Sequence, residues 1–159
     1  MNQKLSDWAS LAEIIASVAV VFTLIMLMID VRENTEVVRS NSYDDLLGDV
    51  NEQAFIIAQD ERLMRIWRLY NTGAAGELTD EERFTLLVLL RSTFRTFEKA
   101  FFAYQYGTVG DREYERFDRQ DCNHFERSGS GLWNQIKQVL SDDYWTHVEA
   151  ICLIELRKP

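Results

Sequence analysis

Proline occurs once in this sequence, as the last residue, Pro159, and glycine only seven times. Both residues interrupt helices, and no stretch shows the strict apolar–polar alternation of a strand. The composition therefore argues against a β-rich fold and predicts an all-α protein. Basic residues are also scarce: 17 Lys and Arg face 26 Asp and Glu, for a net charge of −9. Lys4 against Asp7, Glu13 and Asp30 leaves −2 on residues 1–30, so −7 falls on the remainder. An acidic domain without a basic cluster repels phosphate backbones, which argues against nucleic-acid binding. The plain role of such charge is solubility. Cysteine is limited to Cys122 and Cys152, too few for a disulfide framework. Two unpaired thiols fit a reducing compartment; the sequence also leaves room for one bridge between them.

Against these scarcities stands one long apolar run. Residues 14–29 read IIASVAVVFTLIMLMI, without a charge. As a helix this run is about 24 Å long, short of a hydrocarbon core of about 30 Å. Extended back to Trp8 it reaches about 33 Å and takes in Glu13. A span is therefore feasible with Trp8 at one interface and Glu13 shallow or paired. A cleaved signal peptide would show a basic start and a small-residue cleavage site. Here Lys4 stands alone and the run ends Met28-Ile29-Asp30-Val31. A soluble core helix would be amphipathic, and an interfacial helix would carry a polar face. Residues 1–30 thus read as a single transmembrane anchor, with the lipid bilayer as first partner and the cell (inner) membrane as location. Lys4 and the amino terminus flank one side, Arg32 and Arg39 the other. The positive-inside rule then weakly places the C-terminal domain in the cytoplasm.

Within the span, Ala9, Ala12, Ala16, Ala19 and Thr23 recur every three or four residues and form one stripe. Small residues let membrane helices approach closely. Ser10, Glu13 and Ser17 make a polar line beside it. One reading packs this face on another copy or another membrane protein, with Glu13 satisfied there. The other has Glu13 reaching to the headgroups and the alanines as ordinary membrane composition.

Residues 31–58 read as a juxtamembrane helix without a hinge: a polar collar, then Tyr43, Leu46 or Leu47, Val50, Ala54 and Ile57 at helical spacing. Residues 59–159 read as an acidic helical bundle. Asp60 caps a short helix through Tyr70. Residues 71–76 form a loop, and Thr79-Asp80-Glu81-Glu82 is a capping box. Leu87, Leu90, Phe94, Phe97, Phe101 and Tyr104 then follow at spacings of 3, 4, 3, 4 and 3, an a/d-type seam. Phe102 and Tyr106 fall off it. Asp111 opens a helix to about Arg127, Ser128-Gly129-Ser130-Gly131 breaks it, and a short helix follows over 132–140. Ser141 caps a last helix to about Arg157, burying Tyr144 or Trp145, Val148, Ile151, Cys152 and Leu156. The expected architecture is one N-terminal membrane helix continuing into an antiparallel bundle of four or five helices.

Candidate chemistry is thin. Asp121-x-x-His124, with Cys122 between, is the nearest thing to a metal site. A di-iron bundle uses paired Glu-x-x-His turns, and structural zinc uses four ligands at C-x₂-C or H-x₃-H spacing. Neither pattern occurs, so a solvated helix face is the simpler reading. His147 with Glu149 lacks a positioned nucleophile. No GxxxxGK[ST] or GxGxxG phosphate loop is present. Arg91, Arg95 and Glu98 flank the seam; Arg95 and Glu98, three apart, can pair. They form either a surface bridge or part of a network reaching toward Tyr43 or Arg39. No metal, cofactor or catalytic residue is therefore expected.

The pieces Trp8-Ala9-Ser10-Leu11-Ala12-Glu13, Arg32-Glu33-Asn34-Thr35, Ile66-Trp67-Arg68, Glu82-Arg83-Phe84, Phe94-x-x-Phe97-Glu98 and Tyr104-x-x-Gly107 resemble a group of short bacterial proteins of unknown function. They have an N-terminal membrane helix and a helical domain. The resemblance implies an anchored helical module and supplies no activity. The reading from sequence is a non-enzymatic, membrane-anchored interaction or scaffold module that self-associates. The alternative is a tethered sensor or regulatory subunit binding a small apolar ligand in the bundle, marked by a cavity of several hundred Å³ beside Phe97 and Phe101.

Overall fold

The computed structural model describes residues 2–155, and the side chains of residues 13 and 15–153. Among these residues every regular element is helical. Helix α1 (Asn2–Gln59) is followed by α2 (Glu61–Asn71), α3 (Asp80–Gln105), α4 (Asp111–Ile136) and α5 (Asp142–Glu155). Short 3-10 turns lie at Ala75–Glu77 and Lys137–Val139. The protein is all-α, with one long apolar N-terminal helix leading into a helical bundle.

The chain divides into two units, residues 1–38 and 39–159. The sequence-based division at residue 58 lies 20 residues, between five and six helical turns, inside the second unit. Tyr43, Leu46, Val50 and Ile57 already pack against the bundle core.

Helix α1 is long and apolar enough to cross a membrane, with a mean hydropathy of 2.1 over an 18-residue stretch. Its large apolar side chains from Ile15 to Val31 are each 41–63% exposed. The hydroxyl of Ser17 donates to the Glu13 carbonyl at 2.8 Å, and that of Thr23 to the Ala19 carbonyl at 2.9 Å. Such back-bonding satisfies a hydroxyl within its own helix. The side chains of Trp8, Ala9, Ser10 and Ala12 lie outside the described residues.

The second unit follows local signals closely. The Asp60 carboxylate accepts from the Arg62 and Leu63 amides and starts α2. Thr79 and Glu82 complete the capping box of α3. Leu87, Leu90, Phe94, Phe97 and Phe101 are all buried, and Tyr104 stacks on Tyr114 with ring centroids 4.4 Å apart. Leu86, Thr93 and Ala100 are buried too, because α3 is covered on a broader face than a two-helix seam. Of the paired alternatives, Leu46 and Tyr144 go inside, while Leu47 and Trp145 do not.

One expectation holds in modified form and two change. The break expected over residues 128–131 is present as a kink between two helical stretches of α4: Gly129 sits at φ 61, ψ 172, a non-helical conformation. A left-handed φ is open to glycine at no steric cost, so the break is confined to one residue. Ser141 does not cap α5 with its side chain; its hydroxyl is buried without a partner. The Glu98 carboxylate takes the Ser141 amide instead, at 2.6 Å. And the two thiols are not free: Cys122 of α4 and Cys152 of α5 form a disulfide, with Cα atoms 5.0 Å apart. The reason is helical phase. Cys152 shares the buried face of α5 with Tyr144 and Val148, which is turned toward α4. Leu156 and Arg157 lie outside the described residues.

Candidate functional site

Helix α4 carries polar side chains on the face it buries. Asp121 is fully buried, and the Tyr144 hydroxyl donates to its Oδ1 at 2.5 Å. Its Oδ2 has no partner. Burial pushes the Asp121 carboxyl well above the usual carboxylate range; Asp118 adds to the shift and the Tyr144 bond opposes it. The Tyr144 phenol is raised by burial and then by the Asp121 charge. One turn earlier, His147 Nε2 lies 3.1 Å from the Tyr114 hydroxyl and 3.3 Å from Asp118 Oδ1. Burial raises the Tyr114 phenol, followed by Asp118. A histidine between a carboxylate and a phenol has the parts of an acid–base relay. Here those parts are spent on one another and tie α5 to α4.

The Asp121-x-x-His124 turn is not a solvated face, as its sequence suggested. Its three side chains go to three different partners. Asp121 bonds Tyr144, Cys122 bonds Cys152, and His124 turns into a ring of aromatics. Among the described residues no group of three or more His, Cys, Asp or Glu side chains is disposed around a common point.

His124 sits among four aromatic rings. Its ring lies parallel to Tyr70, with centroids 5.8 Å apart, and is flanked by Trp67 at 5.7 Å and Phe97 at 5.9 Å. Phe94 meets it edge-on at 6.3 Å. The Tyr70 hydroxyl donates to the His124 carbonyl at 3.1 Å and lies 3.2 Å from its Nδ1. Burial, and then Arg127, lower the His124 pKa to about 4. The imidazole is therefore neutral at pH 7.

Beside His124 the bundle leaves a cavity of about 140 Å³. Val50, Gln53, Ala54 and Ile57 of α1 form one wall; Trp67, Thr93, Thr96, Phe97, Gln120 and His124 form the rest. The Gln53 amide nitrogen donates to the Leu89 carbonyl at 3.0 Å and to Thr93 Oγ1 at 2.8 Å, which pins the side chain against α3. This cavity is smaller than the sequence-based expectation and touches Phe97 but not Phe101. Phe101 instead packs on Phe102, Tyr144 and His147. Gln53 and Thr93 escaped the sequence reading because each sits one step off an apolar seam. Polar residues at such inward positions were the available signal.

The other singled-out residues separate. Glu13, Ala16, Ser17, Ala19 and Thr23 are exposed in the first unit. Arg91, Arg95 and Glu98 do not form the expected ion pair: among the described residues no salt bridge joins them. Glu98 caps α5, as above, and Arg91 donates to the Gln135 carbonyl at 3.1 Å. A carboxylate at a helix start meets an amide that has no helical partner, and an exposed ion pair gains little by comparison. The tie to the end of α1 runs through other residues: Arg39 to the Gly107 carbonyl, Arg116 to the Tyr43 hydroxyl, and Lys99 to Asp49.

The neutral state of His124 has a pH signature. Its folded pKa lies below its unfolded one, so the stability tied to the neutral ring is complete above about pH 6.5 and is lost as pH falls toward about 4. Over that window the His124 contribution should fall by roughly 2–3 kcal/mol. It is read as the difference between wild type and a variant without the imidazole, because the raised Asp121 carboxyl works in the opposite sense in both. Replacement by glutamine should flatten the loss in urea titrations run across the same range. An unchanged slope in His124→Gln would mean that the ring is solvated. Compared with known proteins, the chain matches no family model, no curated protein and no solved structure.

Proposed function

We propose that this protein is a single-pass membrane-anchored helical module that acts by binding rather than catalysis, and that it self-associates or joins another membrane protein. The observation that carries the reading is the stretch from Ile15 to Ile29 in α1. Its large apolar side chains are all exposed, on a helix long enough to span. Leaving so many uncovered in water would cost about 1.5–3 kcal/mol each relative to burial, and hydrocarbon covers them without a protein partner. The acid–base groups of α4 and α5 are bonded to each other, which supports binding over catalysis.

The anchor has a direct test. Val21→Arg places a charge near the middle of the run, at a cost of about 2.5–3.5 kcal/mol on the insertion scale. Wild-type chain should stay with membranes through alkaline carbonate extraction, and the variant should shift toward the supernatant. Equal extraction of both would remove the anchor. Purified from mild detergent, the wild type should emerge as a homo-oligomer or with one stoichiometric membrane partner; a clean monomer would refute association. The hydroxyls of Ser17 and Thr23 are bonded within α1, so the small-residue face is left with close packing as its means of contact, and Glu13 as its one charged group.

Orientation rests on two opposed arguments. Arg32 and Arg39 after the span face Lys4 and the amino terminus before it, a near-even count that leans weakly to a cytoplasmic domain. The Cys122–Cys152 disulfide weighs the other way, since such bonds persist in oxidizing compartments and are rare in the cytosol. With the basic count almost balanced, we take the disulfide as the deciding term and place the domain on the oxidizing side of an inner membrane.

A further inference from the structure

The cavity beside His124 has the size, walls and polarity of a ligand site. Its volume is about 140 Å³. A protein cavity of about 150 Å³ accommodates one benzene molecule, so the space suits a single six-membered ring with a small substituent. We propose that it binds a small, neutral, ring-shaped molecule bearing one hydrogen-bond donor, of the phenol type. This inference does not depend on the module being an anchor or a scaffold.

The charge of the ligand follows from the lining. None of the ten lining residues is Asp, Glu, Lys or Arg. An ion drawn into such a space would lose part of its hydration and find no counter-charge. His124 offers none either, being neutral at pH 7. The shape follows from the walls. Trp67, Phe97 and His124 present rings, and aromatic rings prefer offset or edge contacts with another ring.

The donor requirement follows from proton accounting. The Tyr70 hydroxyl has one proton, and it goes to the His124 carbonyl, which can only accept. With that proton on the carbonyl, the 3.2 Å contact to Nδ1 is completed by the tautomer that carries its proton on Nδ1, and Ser128 Oγ at 3.4 Å is the hydroxyl's third neighbor. In a neutral ring Nε2 is left as an acceptor. It has no partner among the described residues. On the facing wall, both hydrogens of the Gln53 amide are used, on the Leu89 carbonyl and Thr93 Oγ1, which leaves Oε1 as the acceptor. Thr93 and Thr96 have given their own protons to the Leu89 and Ser92 carbonyls. Two fixed acceptors with spent donors around them select an O–H or N–H group. Gln120 is the one lining amide free to turn either way.

The full chain in lipid nanodiscs supplies the test, with unfolding followed by helical circular dichroism. Phenol is the probe, and fluorobenzene is the ring of similar size without a donor. Ala54 lines the cavity from α1; Ala54→Leu keeps helix propensity and occupies the space. Phenol at a hundredfold excess over its dissociation constant should raise the wild-type midpoint saturably, by about 5 °C or more. Fluorobenzene should raise it less, and neither should move Ala54→Leu. Equal shifts with the two probes would overturn the donor requirement while leaving a ring site. No saturable shift in the wild type, or the same shift in the variant, would mean that there is no site at all.

Discussion

Phe94→Ala is expected to be the most damaging single truncation in the helical domain, lowering its stability by about 3–5 kcal/mol. Phe94 is fully buried on the face of α3 that is turned toward α4. It touches Trp133 with centroids 5.2 Å apart, Phe97 at 6.1 Å and His124 at 6.3 Å. The loss has two parts: the transfer free energy of the ring, and the hole that rigid aromatic neighbors cannot collapse to fill. Aromatic pairs lost at the same time contribute about 0.5–1.5 kcal/mol beyond buried area. Phe84 provides the comparison, since it is 65% exposed on the same helix. Phe84→Ala should stay within about 0.5 kcal/mol of the wild type. Urea midpoints of the full chain in mild detergent measure both, and similar losses for the two would contradict the burial described above.

Removing the Cys122–Cys152 bridge, by reduction or by a double Cys→Ser exchange, should cost about 3–4 kcal/mol. The bond closes a segment of 30 residues that includes the Gly129 kink and the turn before α5. Freed from it, the unfolded chain gains the entropy of an open loop. The native state also loses a fixed contact between α4 and α5. The same residues report the compartment. Taken from cells by acid trapping and then denatured, the chain should resist maleimide labeling until a reductant is added. Immediate labeling of both cysteines without reductant would return the domain to the cytoplasmic side.

What the sequence discloses here divides by range. Asp60 and Thr79 could be read as helix starts because a cap and its amides lie within three residues of each other. The seam of α3 was readable for the same reason: helical period alone places Leu90, Phe94 and Phe97 on one face. The long apolar helix was visible because it shows in composition rather than in sequence detail. The cap of α5 was not, since Glu98 lies 43 residues from Ser141. Asp121 and His124 read as surface because helical period cannot tell how many neighbors cover a helix. Helix α4 packs on both α3 and α5, so a wider arc of it is buried. The cavity was hidden more deeply. It takes residues from four helices, and Gln53 gains meaning only when Leu89 and Thr93 are set against it.

The bridge between α4 and α5 also changes what a break in the backbone means. The turn at Lys137–Val139 lies between Cys122 and Cys152. A protease that cut there would open the main chain without parting the pieces. The C-terminal fragment would stay fastened through Cys152, which is buried. Residues 122–152 thus form a covalent ring within the domain. A nicked molecule would keep its mass and its last helix until the ring itself was opened.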